Sequence, residues 1–340
     1  MEELPKVSLI VLNHDSLKKL GHRTFDYMKS ILETDYPSLE IILVDNNSHD
    51  GSERQLAEKF NQIKLVKLGE NRGYAGGNNA GAKASSKDVK YLAFLNNDVV
   101  VEKNWLREII KAMEMDKAVG AAQPKIMQLK NPKLIDSIGG TIDRTGRAYD
   151  LGHGLPDFTE ARYPYQTFYA RGAAIVVRKE LFERLGGFDE DYFIYYEETD
   201  FCWRLRLLGY KVITVPSSVI YHLGGGTTGP PNSAIIFLRR KNQLTTLLKN
   251  YSASNMFTYG SQLALLSLFY SLLRLIRHRD PQLSKSTFSA VLWNIMNLRT
   301  VFRKRAFVQA TRRVPDRELM KFIMSRKRYE LLTSYLPKTY

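Results

Sequence analysis

The chain has 340 residues, 44% of them hydrophobic, which is enough for one large domain with an appendage or for two domains. Its single cysteine, Cys202, excludes an internal disulfide framework and fits a reducing compartment. The net charge of +15 is uneven, with 30 basic and 31 acidic side chains in residues 1–238 but 20 basic and 4 acidic in 239–340, so the last third asks for a polyanionic partner: nucleic acid or an anionic membrane surface.

The opening EELPKVSLIVLNHD reads as a short charged lead into a strand, with no signal-peptide pattern. KVSLIVLNH is a continuous apolar run, as in a strand buried on both faces. A helix is expected from about Leu17 to Leu32, with a break at Tyr36-Pro37. LEIILVDNNSHDGS repeats the strand-then-polar-turn pattern, and SERQLAEKF reads as a helix opened by Ser52 as N-cap. IKLVKLGENRGYAGGNNAGAKAS gives a third strand, a Gly-rich turn and a short helix, and YLAFLNND a fourth strand. Strands alternating with helices predict an α/β fold with a doubly wound, mostly parallel sheet. Asn and Asp at the strand ends would then collect along one rim.

A helix is predicted from Asn104 to about Met115, followed by the strand AVGAAQPKIM. Residues 130–168 read as hairpins or mobile loops over the rim. YARGAAIVVRKELFERLGGFDE gives a strand and a short helix, YYEETDFCWRLRLLGY a helix, and YKVITVPSSVIYH a strand ending in His222. A flexible turn is expected at 224–231. From Arg239 the pattern is helical only. Met256 to Leu273 is 18 residues without a charge, near the lower limit of ~17–25 for spanning a bilayer. Its Thr, Ser, Gln and Gly content favours a helix lying in the membrane interface, flanked by Arg274, Arg277 and Arg279. FRKRAF, TRR and SRKRY add basic clusters.

Two segments carry the chemistry. Asp98 closes an apolar strand, at the sheet end where open α/β folds bind ligands. Glu197, Glu198 and Asp200 crowd into four positions, and clustered carboxylates raise the pKa of at least one, as a general base needs. Alone, each has a plain structural reading: a carboxylate run favoured at a helix N-terminus, or an Asx turn at a strand end.

The blocks SLIVLNHD, ILVDNNSHDGS, GENRGYAGGNNAG, FLNNDVVV, RGAAIVVRKELFERLGGFDEDYFIYYEETDFCWRLRLLGY and YHLGG, in this order, resemble inverting glycosyltransferases of family 2, which have the GT-A fold. NRGYAGGNN with LNND is most similar to the rhamnosyltransferase-type branch, and the resemblance covers roughly residues 6–250. It implies a nucleotide-sugar and catalytic domain over 1–238, with 239–340 as a basic helical region for membrane association or oligomerisation.

The resemblance places the general base at Glu198, where this chain has Glu for the Asp of the family's E-D-x-D pattern, with Glu197 and Asp200 as the other candidates. Asp98 is the last residue of the D-x-D metal motif and Asn96 fills its first position. An Asn ligates only through a neutral amide oxygen, so one metal contact is expected to be weaker. His222 resembles the late metal-ligand histidine, for Mg or Mn. Asp45 and Asn13 resemble positions contacting the pyrimidine base, and Arg72 and Gly73 the loop closing over the nucleotide. Gly76 and Gly77 would let backbone approach the ligand, with Asn78 and Asn97 as further contacts and Arg171 and Gly172 as the sugar floor. Cys202 and Trp203 read as core.

The implied partners are a dTDP- or UDP-linked donor, a glycan or lipid-linked acceptor, and the anionic cytoplasmic face of a membrane, with a homodimer as a further candidate. Competing readings are a sugar-nucleotide nucleotidyltransferase, a nucleic-acid-binding protein and a non-catalytic binding protein of the same fold. The first lacks its Gly-rich run near the opening strand. The second lacks any recognisable motif and is disfavoured by the apolar 256–273 segment, so no nucleic acid is expected.

Overall fold

The computed structural model describes residues 4–157, 163–224, 232–277 and 279–324. The sequence expectations for the turn at 224–231, for part of the 130–168 loops and for the SRKRY cluster fall wholly or partly outside them.

The strands Val7–Asn13 (β1), Leu39–Asp45 (β2), Ile63–Lys67 (β3) and Tyr91–Leu95 (β4) form a parallel layer in the order β3-β2-β1-β4. β1 and β4 read as unbroken apolar runs because helices cover both sheet faces. The chain passes β1, β2 and β3 in one direction and then returns to lay β4 on the other side of β1. That reversal makes the C-terminal ends of β1 and β4 a switch point, the place where such sheets open a crevice.

Beyond β4 come the short strand Val99–Val101 (β5), Val119–Gln128 (β6), Ile135–Ser137 (β7), the hairpin Gly140–Ile142 (β8) and Ala148–Asp150 (β9), Tyr165–Gln166 (β10), Ala174–Arg178 (β11) and Lys211–His222 (β12). The sheet continues β4-β11-β6-β12-β10. β11 runs antiparallel to both β4 and β6, an inserted strand that the apolar pattern alone does not reveal. β12 then runs parallel to β6 and brings His222 to the rim.

The helices of this layer are Ser16–Leu20 (α1), Arg23–Leu32 (α2), Ser52–Lys59 (α3), Gly73–Ala84 (α4), Trp105–Met115 (α5), Lys179–Arg184 (α6) and Glu197–Leu207 (α7). Three expectations are corrected. The helix expected over 17–32 breaks at Gly21, whose φ of 61° ends α1. Ser52 is the first helical residue rather than the cap, and Asp50 Oδ1 accepts its N–H at 3.0 Å. The glycine-rich stretch is helix throughout α4, and its glycines serve packing. A Cβ on Gly77 would collide with Leu12, and one on Gly81 with Ile10 and Val44.

The C-terminal helices are Ser233–Asn250 (α8), Ala253–Asn255 (α9), Ser261–Ile276 (α10, entered through a π turn at Met256–Gly260), Pro281–Met296 (α11), Leu298–Thr311 (α12) and Asp316–Leu319 (α13). They share a core with the α/β layer. Leu244, Leu247 and Tyr251 pack with Phe168, Phe201 and Trp203. Trp203 and Tyr251 meet edge to face with ring centroids 4.8 Å apart, an arrangement worth about 0.5–1.5 kcal/mol beyond burial. The outer faces of α10 and α11 are different: Leu265, Phe269, Leu272, Ile276, Phe288 and Ile295 all stand exposed. Ala253–Ile276 is long and apolar enough to cross a bilayer by length and composition, with 28% of its apolar window buried in the protein.

Candidate active site

Three strand ends set the rim. β1 ends on Asn13, β2 on Asp45, and β4 runs into Asn96-Asn97-Asp98. β3 ends on Lys67 and adds no carboxylate or amide. Asp98 is 1% exposed, yet neither of its carboxylate oxygens finds a hydrogen-bond donor in the protein. A buried carboxylate is normally satisfied, and the one charged group facing this one among the described residues is His222. His222 Nε2 lies 3.4 Å from Asp98 Oδ1 and 3.3 Å from Asn96 Nδ2. The structure thus brings together Asp98, Asn96 and His222.

Asp136 on β7 is a residue that sequence reasoning missed. Its Oδ2 accepts from His222 Nδ1 at 2.7 Å, and its Oδ1 lies 2.9 Å from Arg171 Nη1 and 3.2 Å from His153 Nδ1. Burial works against the Asp136 charge, but the two histidines and Arg171 outweigh it and hold the carboxyl well below the usual range. It therefore stays an acceptor and fixes the Nδ1–H tautomer of His222, leaving Nε2 free as a ligand atom. In the bare site burial lowers the proton affinity of His222, and Asp136 and Asp98 override it and raise the pKa to about 9. The proton on Nε2 stands where a cation would replace it. Two orphan carboxylate oxygens, an imidazole nitrogen and an amide fit a divalent ion of the Mg or Mn type. Among the described residues no group of three or more His, Cys, Asp or Glu gathers at one point, so donor phosphates and water would complete the shell.

The second half of the site is the N-terminus of α7. Phe193, Tyr195 and Tyr196 enter it with φ of 64°, 71° and 73°, a left-handed backbone that bulky residues adopt only under constraint. The constraint comes from α8. Asn242 Nδ2 donates to the carbonyls of Tyr192, Ile194 and Tyr195 at 3.0, 2.9 and 2.7 Å. Asn242 was not anticipated either, although an asparagine inside an amphipathic helix is the one signal that marks it.

This loop aims Glu197 and Glu198 inward. Glu197 is 4% exposed, and burial together with the Glu198 charge keeps its pKa well above the carboxylate range. Glu198 is partly buried. Burial, with help from the Asp150 charge, pushes it up to about 7 against its own backbone N–H and Arg171. Neither Glu197 Oε2 nor Glu198 Oε2 has a hydrogen-bond partner. Facing them are Gly172 and Tyr74, whose hydroxyl donates to Gly172 O at 2.5 Å. A Cβ on Gly172 would lie 3.8 Å from the Glu198 carboxyl carbon. Arg171 holds this floor by its pairs to Asp136 and Asp150, the latter at 3.6 Å.

Asp200 is placed elsewhere. It is fully buried and accepts from Arg204 Nε at 2.8 Å and Asn250 Nδ2 at 2.9 Å, with Lys249 Nζ at 3.1 Å. Its oxygens are committed to holding α7 against α8, and it is a structural anchor rather than a base. Cys202 and Trp203 are fully buried core, and burial raises the Cys202 thiol to about 12, where it is inert.

On the nucleotide side, Asn13 Nδ2 donates to Ser48 Oγ and Ser52 Oγ at 3.0 and 2.9 Å and reaches Asp45 Oδ1 at 3.4 Å. Its own Oδ1 is buried without a donor, an acceptor left over beside Asp45. The loop before α4 is pinned by Asn46, which accepts from Arg72 N at 2.8 Å and donates to Gly73 O at 3.1 Å. Gly73, with φ 66°, is required because a Cβ would collide with Phe193. Arg72 points at Glu190. Gly76 would place a Cβ against Arg72, and Asn78 donates back to Tyr74 O at 2.9 Å within its own helix. Gly76 and Asn78 therefore shape α4 rather than line the crevice. Asn97 is partly buried at the rim between the two metal-side residues.

A mixed, mostly parallel sheet with its crevice at the β1/β4 switch point and helices on both faces is the GT-A arrangement. Residues 24–186 match the family model "Glycosyl transferase family 2", and this stretch of the α/β layer belongs to that family. The chain is 32% identical over 229 residues to "O-antigen biosynthesis protein RfbC" of Myxococcus xanthus, covering 64% of this chain and 17% of that protein. It is 24% identical over 249 residues to the "N-acetylglucosaminyl-diphospho-decaprenol L-rhamnosyltransferase" of Mycobacterium tuberculosis, covering 65% and 78%. Among solved structures it superposes on "GalNAc-T7 with UDP, GalNAc and Mn2+" with a TM-score of 0.62 at 19% identity, covering 87% of this chain and 58% of that one. The chain spans about a quarter or less of the length of the first two curated relatives it matches.

Proposed function

We propose that the protein transfers a sugar, with inversion, from a nucleotide-diphosphate donor to a hydroxyl of a lipid-linked or glycan acceptor at a membrane surface. The observation that carries this reading is the buried pair Asp98 and His222, which would hold a cation, together with the Glu198 carboxyl poised near neutrality, which would accept a proton. Asn13 and Asp45 would read the base edge, and Asp98, His222 and Asn96 would hold the divalent ion. That ion supplies charge neutralisation to the departing diphosphate.

Glu198 accepts the proton of the acceptor hydroxyl, whose oxygen forms the new bond to the anomeric carbon. The bond from that carbon to the diphosphate oxygen breaks on the opposite face, and the electron pair leaves with the nucleotide. Arg171, held by Asp136 and Asp150, lines the floor on which the sugar turns over. Glu197, kept neutral by burial, leaves a single negative charge at the base and so stops the pair from repelling the anionic donor. The exposed apolar faces of α10 and α11, with a net charge of +16 over residues 239–340, support seating on an anionic bilayer.

The test is turnover of dTDP-rhamnose, UDP-hexoses and GDP-mannose with Mn, with Mg and with chelator. Metal-dependent release of the nucleotide from one donor is expected. Donor binding without turnover for any donor, in protein that retains its fold, would leave a non-catalytic binding protein as the better reading.

A further inference from the structure

A second polar centre lies beside the catalytic helix and is not used by the chemistry above. It is built where the turn between β8 and β9 meets α8, with the charge at the end of α10 acting on it. The turn between β8 and β9 supplies Arg147, α8 supplies Arg240, and the end of α10 supplies Arg274. Gln243 fixes the geometry by donating to Thr145 O at 2.9 Å while accepting from Arg240 Nη1 at 3.2 Å. Tyr196, the residue immediately before Glu197, is the fourth wall, and its hydroxyl accepts from Ala148 N at 3.3 Å. Burial lowers the proton affinity of Arg240, and the adjacent Arg147 and Arg274 charges lower it further.

Like charges gathered at one point need an anion. Arg147 lies over the Tyr149 ring at 5.3 Å and forms no ion pair among the described residues, nor does Arg240. Arg274 has only Asp280, at 3.9 Å. The acid in the same turn, Asp143, has its carboxylate taken up by Thr145, by Arg147 N and by the Tyr149 hydroxyl. Arg240 also faces Tyr270, and with Tyr270 begins the exposed apolar surface of Phe269, Leu272 and Ile276. The centre is thus cationic at one end and greasy at the other, and its wall residue Tyr196 stands two positions before Glu198.

We infer that Arg147, Arg240 and Arg274 bind the phosphate of a lipid-linked, phosphorylated acceptor whose chain lies along α10 and whose sugar reaches Glu198. This rests on the transferase reading and deepens it, choosing the lipid-linked acceptor over a free glycan. Guanidinium groups suit the task because their planar forks pair with phosphate oxygens in two directions. The apolar face holds the prenyl or acyl chain that a soluble glycan lacks.

The experiment is calorimetry on the full-length protein with three probes: farnesyl diphosphate, farnesol and inorganic diphosphate. Farnesyl diphosphate is expected to bind more tightly than either piece, and to do so with the donor nucleotide already bound. Arg147→Ala with Arg240→Ala should weaken it at least tenfold, as about one charge-assisted contact per arginine requires. Phe269→Ser should weaken farnesyl diphosphate but not inorganic diphosphate. Equal affinity for the wild type and the double variant would overturn the assignment, as would displacement by donor nucleotide. Displacement by phosphatidylglycerol vesicles would also overturn it, making the arginines a headgroup contact. Donor binding with Mn, measured on the same samples, judges the transferase reading separately. It also reports whether the double variant has kept its fold.

Discussion

Lys249→Met is the most informative single perturbation. Lys249 is 2% exposed, with Nζ 2.6 Å from Asp189, 3.1 Å from Asp200 and 4.8 Å from the centre of the Tyr192 ring. Methionine keeps the length and apolar stem but removes the charge, so two buried carboxylates lose a partner together. Breaking one side of a buried pair costs about 3–5 kcal/mol. Asp200 keeps Arg204 and Asn250, and Asp189 keeps Lys304, so the lower end applies, about 3 kcal/mol. At ~2–4 °C per kcal/mol in large domains, Tm should fall by roughly 6–12 °C.

Calorimetric and urea unfolding of Lys249→Met, Asp200→Asn and the double variant checks this. Since both side chains belong to one cluster, the double variant should lose at least about 1 kcal/mol less than the sum of the singles. Strict additivity, or a single-variant loss below about 1 kcal/mol, would refute the reasoning and put Asp200 back among the reacting groups.

Glu198→Gln should lower turnover by at least ~100-fold with donor affinity nearly unchanged, measured by initial rates and calorimetry. Wild-type turnover should rise with pH through about 7, as the Glu198 carboxylate forms. Because the folded state raises this pKa, it binds more protons than the unfolded chain between the ordinary carboxylate range and about 7. Stability should therefore fall as pH rises through that window, and Glu198→Gln should unfold at a higher temperature than the wild type at pH 7.5. Asp136→Asn should weaken Mn binding by ~10–100-fold in a calorimetric titration, because His222 loses the partner that fixes its tautomer. Asn242→Leu leaves three carbonyls of the entry loop to α7 without their donor, and turnover should fall more than donor affinity. Full-length protein should co-sediment with anionic vesicles, less so as salt rises; a soluble dimer indifferent to vesicles would assign the α10–α11 face to a second copy.

The order of strands and helices was legible because each buried strand is an unbroken apolar run closed by a polar turn, as in VSLIVLN and YLAFL. Asp98, His222 and Glu198 were legible for the same reason, since each sits at the start or end of an element where position follows from chain order. Strand direction was not. The pattern of AIVVR is the same whether β11 runs with β4 or against it. The α4 glycines misled because a Gly-rich string signals a turn locally, whereas their reason is contact with Leu12, Ile10 and Val44 from other elements. Asp136, Asn242 and Lys249 were invisible as site residues. Their roles depend on partners that lie 86, 50 and 60 positions away at His222, Tyr192 and Asp189. Asp200 stands beside Glu198 in sequence and so reads as catalytic, but two residues of helix, a rotation of about 200°, carry it to the opposite side, against Lys249.

The clamp from α8 onto the loop before α7 has a consequence for synthesis on the ribosome. The nucleotide-side strands and α7 are translated before Asn242, Lys249 and Lys304. Until those three emerge, the left-handed turn at Phe193, Tyr195 and Tyr196 has, among the described residues, only the hydrogen bonds of Ala75 N–H to the Phe193 carbonyl and of Ala148 N–H to the Tyr196 hydroxyl from earlier elements, and the carboxylate pair is held less firmly. A chain stopped before Asn242 lacks both that clamp and the core contacts of Leu244, Leu247 and Tyr251, and is expected to show no turnover in the assay proposed above. The segment that would set the carboxylates also carries the exposed apolar faces of α10 and α11, so under the transferase reading the groups for chemistry and the surface for a membrane leave the ribosome together.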